Sequence, residues 1–184
     1  GHWIGANLVT LTCLFLLAIG GWSRFFGTGP FSQTPKQIAI AIGIIIGAIV
    51  GLQVIALLYS QVFEAVLNRP LGKQLASLFL ESDTIPQLLG TLFIVGIAIP
   101  FYEELFFRGF LYDALEERWN PRVALIASSV IFAIVHGVTF FIPLLFLSFV
   151  LGWLRLKRGN LRMCFLLHAA NNSSAVLIGH FSGG

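Results

Sequence analysis

Apolar residues along this chain come in blocks, and blocks of about 20 residues have the length of a transmembrane helix. Six are predicted to span. The first two cover residues 3–22 and 38–59, joined by a Gly/Pro-rich loop over 27–35 in which Thr34 and Pro35 read as N-cap and first helical residue. Residues 59–82 mix charges with leucines and phenylalanines and read as an amphipathic segment lying in the interface. A third span starts behind the Ser82-Asp83-Thr84 cap, tolerates Pro86 in its first turn, and runs through Pro100 toward Glu116. Pro100 lacks an N–H and predicts a kink just before two adjacent glutamates, Glu103 and Glu104. Residues 123–154 are nearly unbroken, too long for one crossing and short for two. They divide at 137–139 into a short fourth helix and a fifth. The sixth covers residues 163–178.

Composition agrees with a membrane protein. Hydrophobic residues make up 57%, charged residues 10%, and mean hydropathy is +0.90, against about 25% charged in a soluble domain. The fold class expected is an all-α polytopic helix bundle. Residues 1–84 form its N-terminal membrane helices and interfacial segment, and 85–179 a second, helical part of the same domain. The run at 3–22 exceeds a typical signal sequence and reads as a retained helix. The net charge of +3 reflects basic residues at loops, which indicates topology and no nucleic-acid partner. Arg155, Lys157, Arg158 and Arg162 place their loop on the cytoplasmic or equivalent side, with Arg118 and Arg122 and the first loop's Arg24 and Lys36 beside them. Arg69 and Lys73 dissent from this pattern. Gly43, Gly47 and Gly51 form a small-residue ridge suited to close helix contact within the chain, in a homodimer or with a membrane-complex partner. Cys13 and Cys164 read as packing residues.

Against this background the intramembrane polar residues stand out, because each ionised group at the bilayer centre costs about 2.5–3.5 kcal/mol on insertion scales. Glu104 and Arg108 stand at i and i+4, on one helix face, where they can pair; Glu103 points about 100° away. His136 ends the short fourth helix, and His168 and Asn172 share a face of the sixth. Three helices thus aim polar groups from apolar surfaces, and convergence inside the bundle avoids lipid exposure. Such a set supports hydrolysis. A carboxylate and an imidazole jointly deprotonate a water, and a second imidazole with an amide stabilises an oxyanion. Glu103, His136 and His168 are also of the types that ligate zinc, although the His-Glu-x-x-His helix of common zinc proteases is absent. Proton or metal transport uses the same residue types.

Glu103-Glu104-x-x-x-Arg108, Phe132-x-x-x-His136 and His168-x-x-x-Asn172, in that order on successive helices, resemble the three motifs of the CAAX-protease and bacteriocin-processing family of intramembrane proteases. The resemblance covers roughly residues 85–179, and no motif position is substituted. It implies a type II CAAX prenyl endopeptidase-like, glutamate-dependent enzyme whose water is activated by Glu103 and His136. It gives Glu104 and Arg108 orienting roles and assigns His168 and Asn172 to the oxyanion. In eukaryotic relatives the substrates are prenylated CAAX peptides; many bacterial members act on other peptides. A divalent metal such as zinc is left open. The expected setting is a bacterial inner membrane or an organellar, thylakoid-type membrane, with lipid and a peptide or membrane-protein substrate as partners. The competing expectation is a scaffold that keeps the fold and serves a larger membrane complex. His2 and His180 read as terminal residues outside the chemistry, and Asn171 as a packing residue. Phe106, Phe107, Phe110, Phe140 and Phe141 read as core or lipid-facing, and Asp113, Glu116 and Glu117 as a solvated helix end.

Overall fold

A computed structural model describes residues 35–68, 84–158 and 161–182, and these are helical almost throughout, with no strand among them. Five helices follow in order: α1 (Pro35–Leu67), α2 (Ile85–Arg118), α3 (Pro121–Val135), α4 (Phe141–Arg158) and α5 (Arg162–Ser182). The expected first span and the interfacial segment beyond residue 68 lie outside the described residues. The beginning of that segment is described and differs from expectation: residues 59–67 continue α1 without a break. Neither glycine nor proline interrupts 52–67, so the ladder runs on to Asn68. There the backbone turns left-handed (φ 52°) and the Asn68 N–H closes on the Glu64 carbonyl at 2.9 Å.

Two helices, Ile42–Val66 within α1 and Ile85–Arg118, have the length and composition to cross a membrane. Their large apolar side chains remain largely outside the core. Ile42, Ile46, Val50, Val54, Leu57 and Val62 on α1 are exposed, as are Leu89, Phe93 and Ile97 on α2. In water such faces would associate, whereas in hydrocarbon they meet their own kind of solvent. The remaining spans are less uniform than the sequence blocks predict. The 15-residue α3 reaches only about 22 Å, and α4 and α5 carry polar or charged groups such as Ser148, Arg155 and His168.

Local sequence sets each boundary. Thr84 is the extended N-cap of α2, and the Gln87 side chain accepts hydrogen bonds from its N–H and its hydroxyl, both at 3.1 Å. At Pro100 the helix absorbs the missing N–H in a π-helical stretch, Leu92–Ala98, where the Ile99 N–H reaches back to the Ile94 carbonyl. A second π stretch, Leu105–Leu111, follows the glutamates. Asn120 caps α3, its Oδ1 accepting from the N–H groups of Arg122 and Val123 at 3.0 Å, with Pro121 as first residue. The expected division of 123–154 occurs at Gly137, whose φ of +94° turns the chain into a short 3-10 turn, Val138–Phe140, before α4.

The main core cluster joins Leu52 of α1 to Leu147, Leu151 and Leu154 of α4 and Cys164 and Leu167 of α5. Cys164 is a packing residue, as expected, buried and hydrogen-bonded to the Leu151 carbonyl at 3.2 Å. Two glycines permit close approach: a Cβ at Gly152 would lie 3.3 Å from Leu125 of α3, and one at Gly96 would run into Ser173 Oγ of α5. The α1 ridge behaves differently. No described atom lies within 4 Å of a Cβ built at Gly43, Gly47 or Gly51, so the ridge makes no close helix contact among the described residues.

Candidate active site

The polar residues singled out by their apolar surroundings converge on one region. α2 supplies Glu103, Glu104 and Arg108; the end of α3 supplies His136; α5 supplies His168. Arg108 Nη1 donates to Glu104 Oε1 at 3.0 Å across the expected i, i+4 spacing. His168 Nδ1 meets the same Glu104 oxygen at 2.8 Å, and its Nε2 lies 3.5 Å from Glu103 Oε2. His136 Nε2 lies 3.1 Å from Glu103 Oε1. The two carboxylates therefore face different neighbours while His168 stands between them.

Exposure divides this cluster into two parts. The side chains of Glu104, Arg108 and His168 are 0%, 1% and 2% exposed, while those of Glu103 and His136 are 14% and 29% exposed. Glu104 and Arg108 cancel one another's charge in a sealed interior, where an unpaired ion would be costly. The second oxygen of Glu104 has no hydrogen-bond partner among the described residues. Glu103 and His136 form the accessible part. His136 Nδ1 lies 2.7 Å from the Phe132 carbonyl, which can only accept, so Nδ1 carries a proton. Nε2 then faces Glu103 Oε1, and a hydrogen bond between two acceptors requires one shared proton. The Phe132 ring stacks on His136 (centroids 4.3 Å apart), meets His168 edge-on and lies under the Arg108 guanidinium at 4.7 Å.

Comparison with known proteins finds a family over the same stretch of chain. Residues 85–174, which contain all of these side chains, match the family described as type II CAAX prenyl endopeptidase Rce1-like. The match covers just under half of the chain and makes this stretch Rce1-like. It is also 38% identical over 95 residues to the UPF0177 protein YxdF of Lactococcus lactis subsp. lactis (strain IL1403). That match covers 50% of this chain and spans 52% of the relative's length. No solved structure matches.

Within the Rce1-like core Asn172 stands apart from the other motif residues. Its amide donates to the Val95 carbonyl at 3.2 Å. In π register that carbonyl would pair with residue 100, which is proline and has no N–H, while Ile99 is taken by Ile94. Asn172 thus satisfies the backbone acceptor that Pro100 leaves over, and its amide is directed at the protein. Among the described residues no group of three His, Cys, Asp or Glu side chains is arranged to hold a metal ion.

Sequence reasoning missed two contributors. Ser148 of α4 accepts from Arg108 Nη2 at 2.6 Å; a single serine in an apolar helix carries no signal of this. Asp113, read as part of a solvated helix end, is instead part-buried, and Arg155 Nη2 donates to it at 2.7 Å. Arg155 Nε also donates to the Arg108 carbonyl at 3.0 Å, so this residue of the basic loop's helix fastens α4 to α2. The Asn171 amide donates to its neighbour Asn172 Oδ1 at 3.4 Å, and its carbonyl accepts from Ser174 Oγ at 2.7 Å. Phe107 is buried and Phe110 exposed, in keeping with core and lipid-facing roles.

Proposed function

We propose that the chain is an intramembrane endopeptidase in which Glu103 and His136 together activate a water. The observation that carries this reading is the accessible Glu103–His136 pair, 3.1 Å apart, backed by the sealed Glu104–Arg108–His168 set. With its Nδ1 proton fixed on Phe132, His136 keeps Nε2 for proton exchange with Glu103, and the water is placed beside the pair. As the water oxygen attacks the peptide carbonyl carbon, one water proton passes to this pair. The carbonyl oxygen becomes the oxyanion of a tetrahedral intermediate. The pair then returns a proton to the amide nitrogen, the C–N bond breaks, and a carboxylic acid and an amine leave.

For the oxyanion the same reading uses His168. Its Nε2 contact with Glu103 is long at 3.5 Å, so an Nε2–H held there is readily redirected to a stronger acceptor. Asn172 then serves by holding α5 against α2 through Val95, which places His168. The water is polarised by protein groups throughout, so a divalent metal such as zinc is not required. Cleavage in this reading persists in 1,10-phenanthroline. The setting is a bacterial inner membrane or its organellar counterpart, and the substrate a peptide or membrane protein.

The test uses the full chain in proteoliposomes and an internally quenched farnesylated CAAX peptide, with N-terminal peptide profiling of host membranes for other substrates. Wild type is expected to cleave, while Glu103→Gln and His136→Ala, folded by their melting curves, lose at least about 10²-fold in rate, the lower range for a general base. Equal cleavage by these variants removes the assignment. A wild type that cleaves nothing in either assay but co-purifies with a larger membrane assembly, unaffected by Glu103→Gln, replaces it with the scaffold reading.

A further inference from the structure

Residues 141–154 of α4 contain one polar side chain, Ser148, and it is fully buried. A lone hydroxyl has no reason to be inside an apolar helix contact unless something there needs an acceptor. That something is Arg108. Its Nη1 is used by Glu104 on its own helix, and its Nη2 donates to Ser148 Oγ at 2.6 Å and to the Ser148 carbonyl at 3.2 Å. Among the described residues no other side chain outside α2 accepts a hydrogen bond from Arg108.

Resting on the endopeptidase reading above, we propose that Ser148 is a positioning residue of the protease. Arginine has several rotatable bonds, and an i, i+4 contact within one helix leaves the guanidinium free to pivot about Glu104. Aromatic faces constrain its plane: Arg108 lies 4.7 Å from the Phe132 centroid and 5.9 Å from that of Phe107. They do not fix its rotation in that plane. Ser148 does, from a different helix and through the other nitrogen. Fixing the guanidinium fixes Glu104 Oε1, which it shares with His168 Nδ1. The His168 ring is thereby oriented so that Nε2 faces Glu103 Oε2, and Glu103 presents Oε1 to His136. The chain of contacts runs from α4 through α2 and α5 back to α2 and α3. Ser148 touches neither the water nor the peptide and acts only through Arg108.

Three substitutions separate the hydroxyl from packing. Ser148→Ala removes the hydroxyl acceptor and leaves only the longer contact to the carbonyl, Ser148→Cys fills the space with a weak acceptor, and Ser148→Thr keeps the hydroxyl. With the quenched farnesylated peptide, the Ala and Cys variants are expected to lose about 10–100-fold in kcat, the scale of one hydrogen bond to a charged group. Their KM should stay within about twofold, since kcat alone reports an interaction outside substrate binding. The Thr variant should keep wild-type kcat. Wild-type kcat in the Ala and Cys variants overturns the proposal. So does a parallel fall of all three, Thr included, together with Tm, which marks a packing role.

A second measurement reads Arg108 without substrate, and so distinguishes failure of this proposal from failure of the endopeptidase reading. In arginine-¹⁵N-labelled protein in detergent, wild type and Ser148→Thr should give separate Nη resonances for Arg108, the sign of a locked guanidinium. Ser148→Ala and Ser148→Cys should give an averaged one. Indistinguishable Arg108 signals in all four proteins overturn the proposal whatever the cleavage assay reports.

Discussion

Arg108 meets a carboxylate on its own helix and a hydroxyl on another, with both nitrogens of its fork engaged. Lysine cannot reproduce this, because an ammonium is a compact charge without a fork. Arg108→Lys should therefore retain the charge balance but lose the bridge to α4, with the rate falling while the protein stays folded. Arg108→Leu is a different experiment, since it leaves Glu104 buried and uncompensated. Removing one partner of such a pair costs about 3–5 kcal/mol, whereas removing both leaves no stranded charge. Thermal unfolding in detergent should show Arg108→Leu well below wild type and the double variant Glu104→Gln, Arg108→Leu restored most of the way. A double variant no more stable than the single one contradicts the buried-pair account. The pair itself was legible, because an i, i+4 spacing across an apolar helix leaves a carboxylate and a guanidinium little choice but each other. Ser148 was not, because its partner is forty positions away and a serine among leucines looks the same whether or not it bonds an arginine.

Elements show a similar division. The short α3 followed from His136-Gly137, since that signal is local and its chemistry forces the outcome. The π stretches of α2 were invisible. The first depends on what α5 offers to the released carbonyl of Val95, and the sequence around Pro100 says only that an N–H is missing. The same is true of the approach of α2 to α5, which rests on Gly96. A β-carbon there would strike Ser173 Oγ, a movable atom, so Gly96→Ala should be absorbed by rotation of that hydroxyl. Gly96→Leu cannot be absorbed in this way. It should force α5 outward, lengthen the 2.8 Å contact between His168 and Glu104, and destabilise by about 1–3 kcal/mol, as overpacking does. Pairing Gly96→Leu with Ser173→Gly opens space at the point of collision and should recover part of both stability and cleavage. Melting curves and rates of the single and double variants check this. Rates that fall with no change in stability would place Gly96 in substrate contact instead.

At the scale of the molecule, the family match starts at residue 85, which invites treating what precedes it as an appendage. The packing denies this for α1. Leu52 is buried in the cluster formed by α4 and α5, with Ile45, Ala48 and Ile49 of α1 against it. The Tyr59 hydroxyl donates to the Thr139 carbonyl at 3.0 Å, in the turn that follows His136, and Gln53 reaches Ser174 Oγ at 3.4 Å. Helix α1 thus closes the core from one side and holds the turn that follows His136. Had α1 been separate, Leu52→Ala would melt a local unit and leave the site unchanged. Because the cluster is shared, the substitution should lower one cooperative transition by about 2–5 kcal/mol, the usual cost of such a cavity. Tyr59→Phe should do the opposite: it removes one hydrogen bond, so stability should fall by only about 1 kcal/mol. The turn after His136 should loosen, and the rate should fall more than stability does. Calorimetry of both variants beside their cleavage rates decides the matter. Two separate transitions in wild type, or a Tyr59→Phe protein with an unaltered rate, would show that α1 does not support the site.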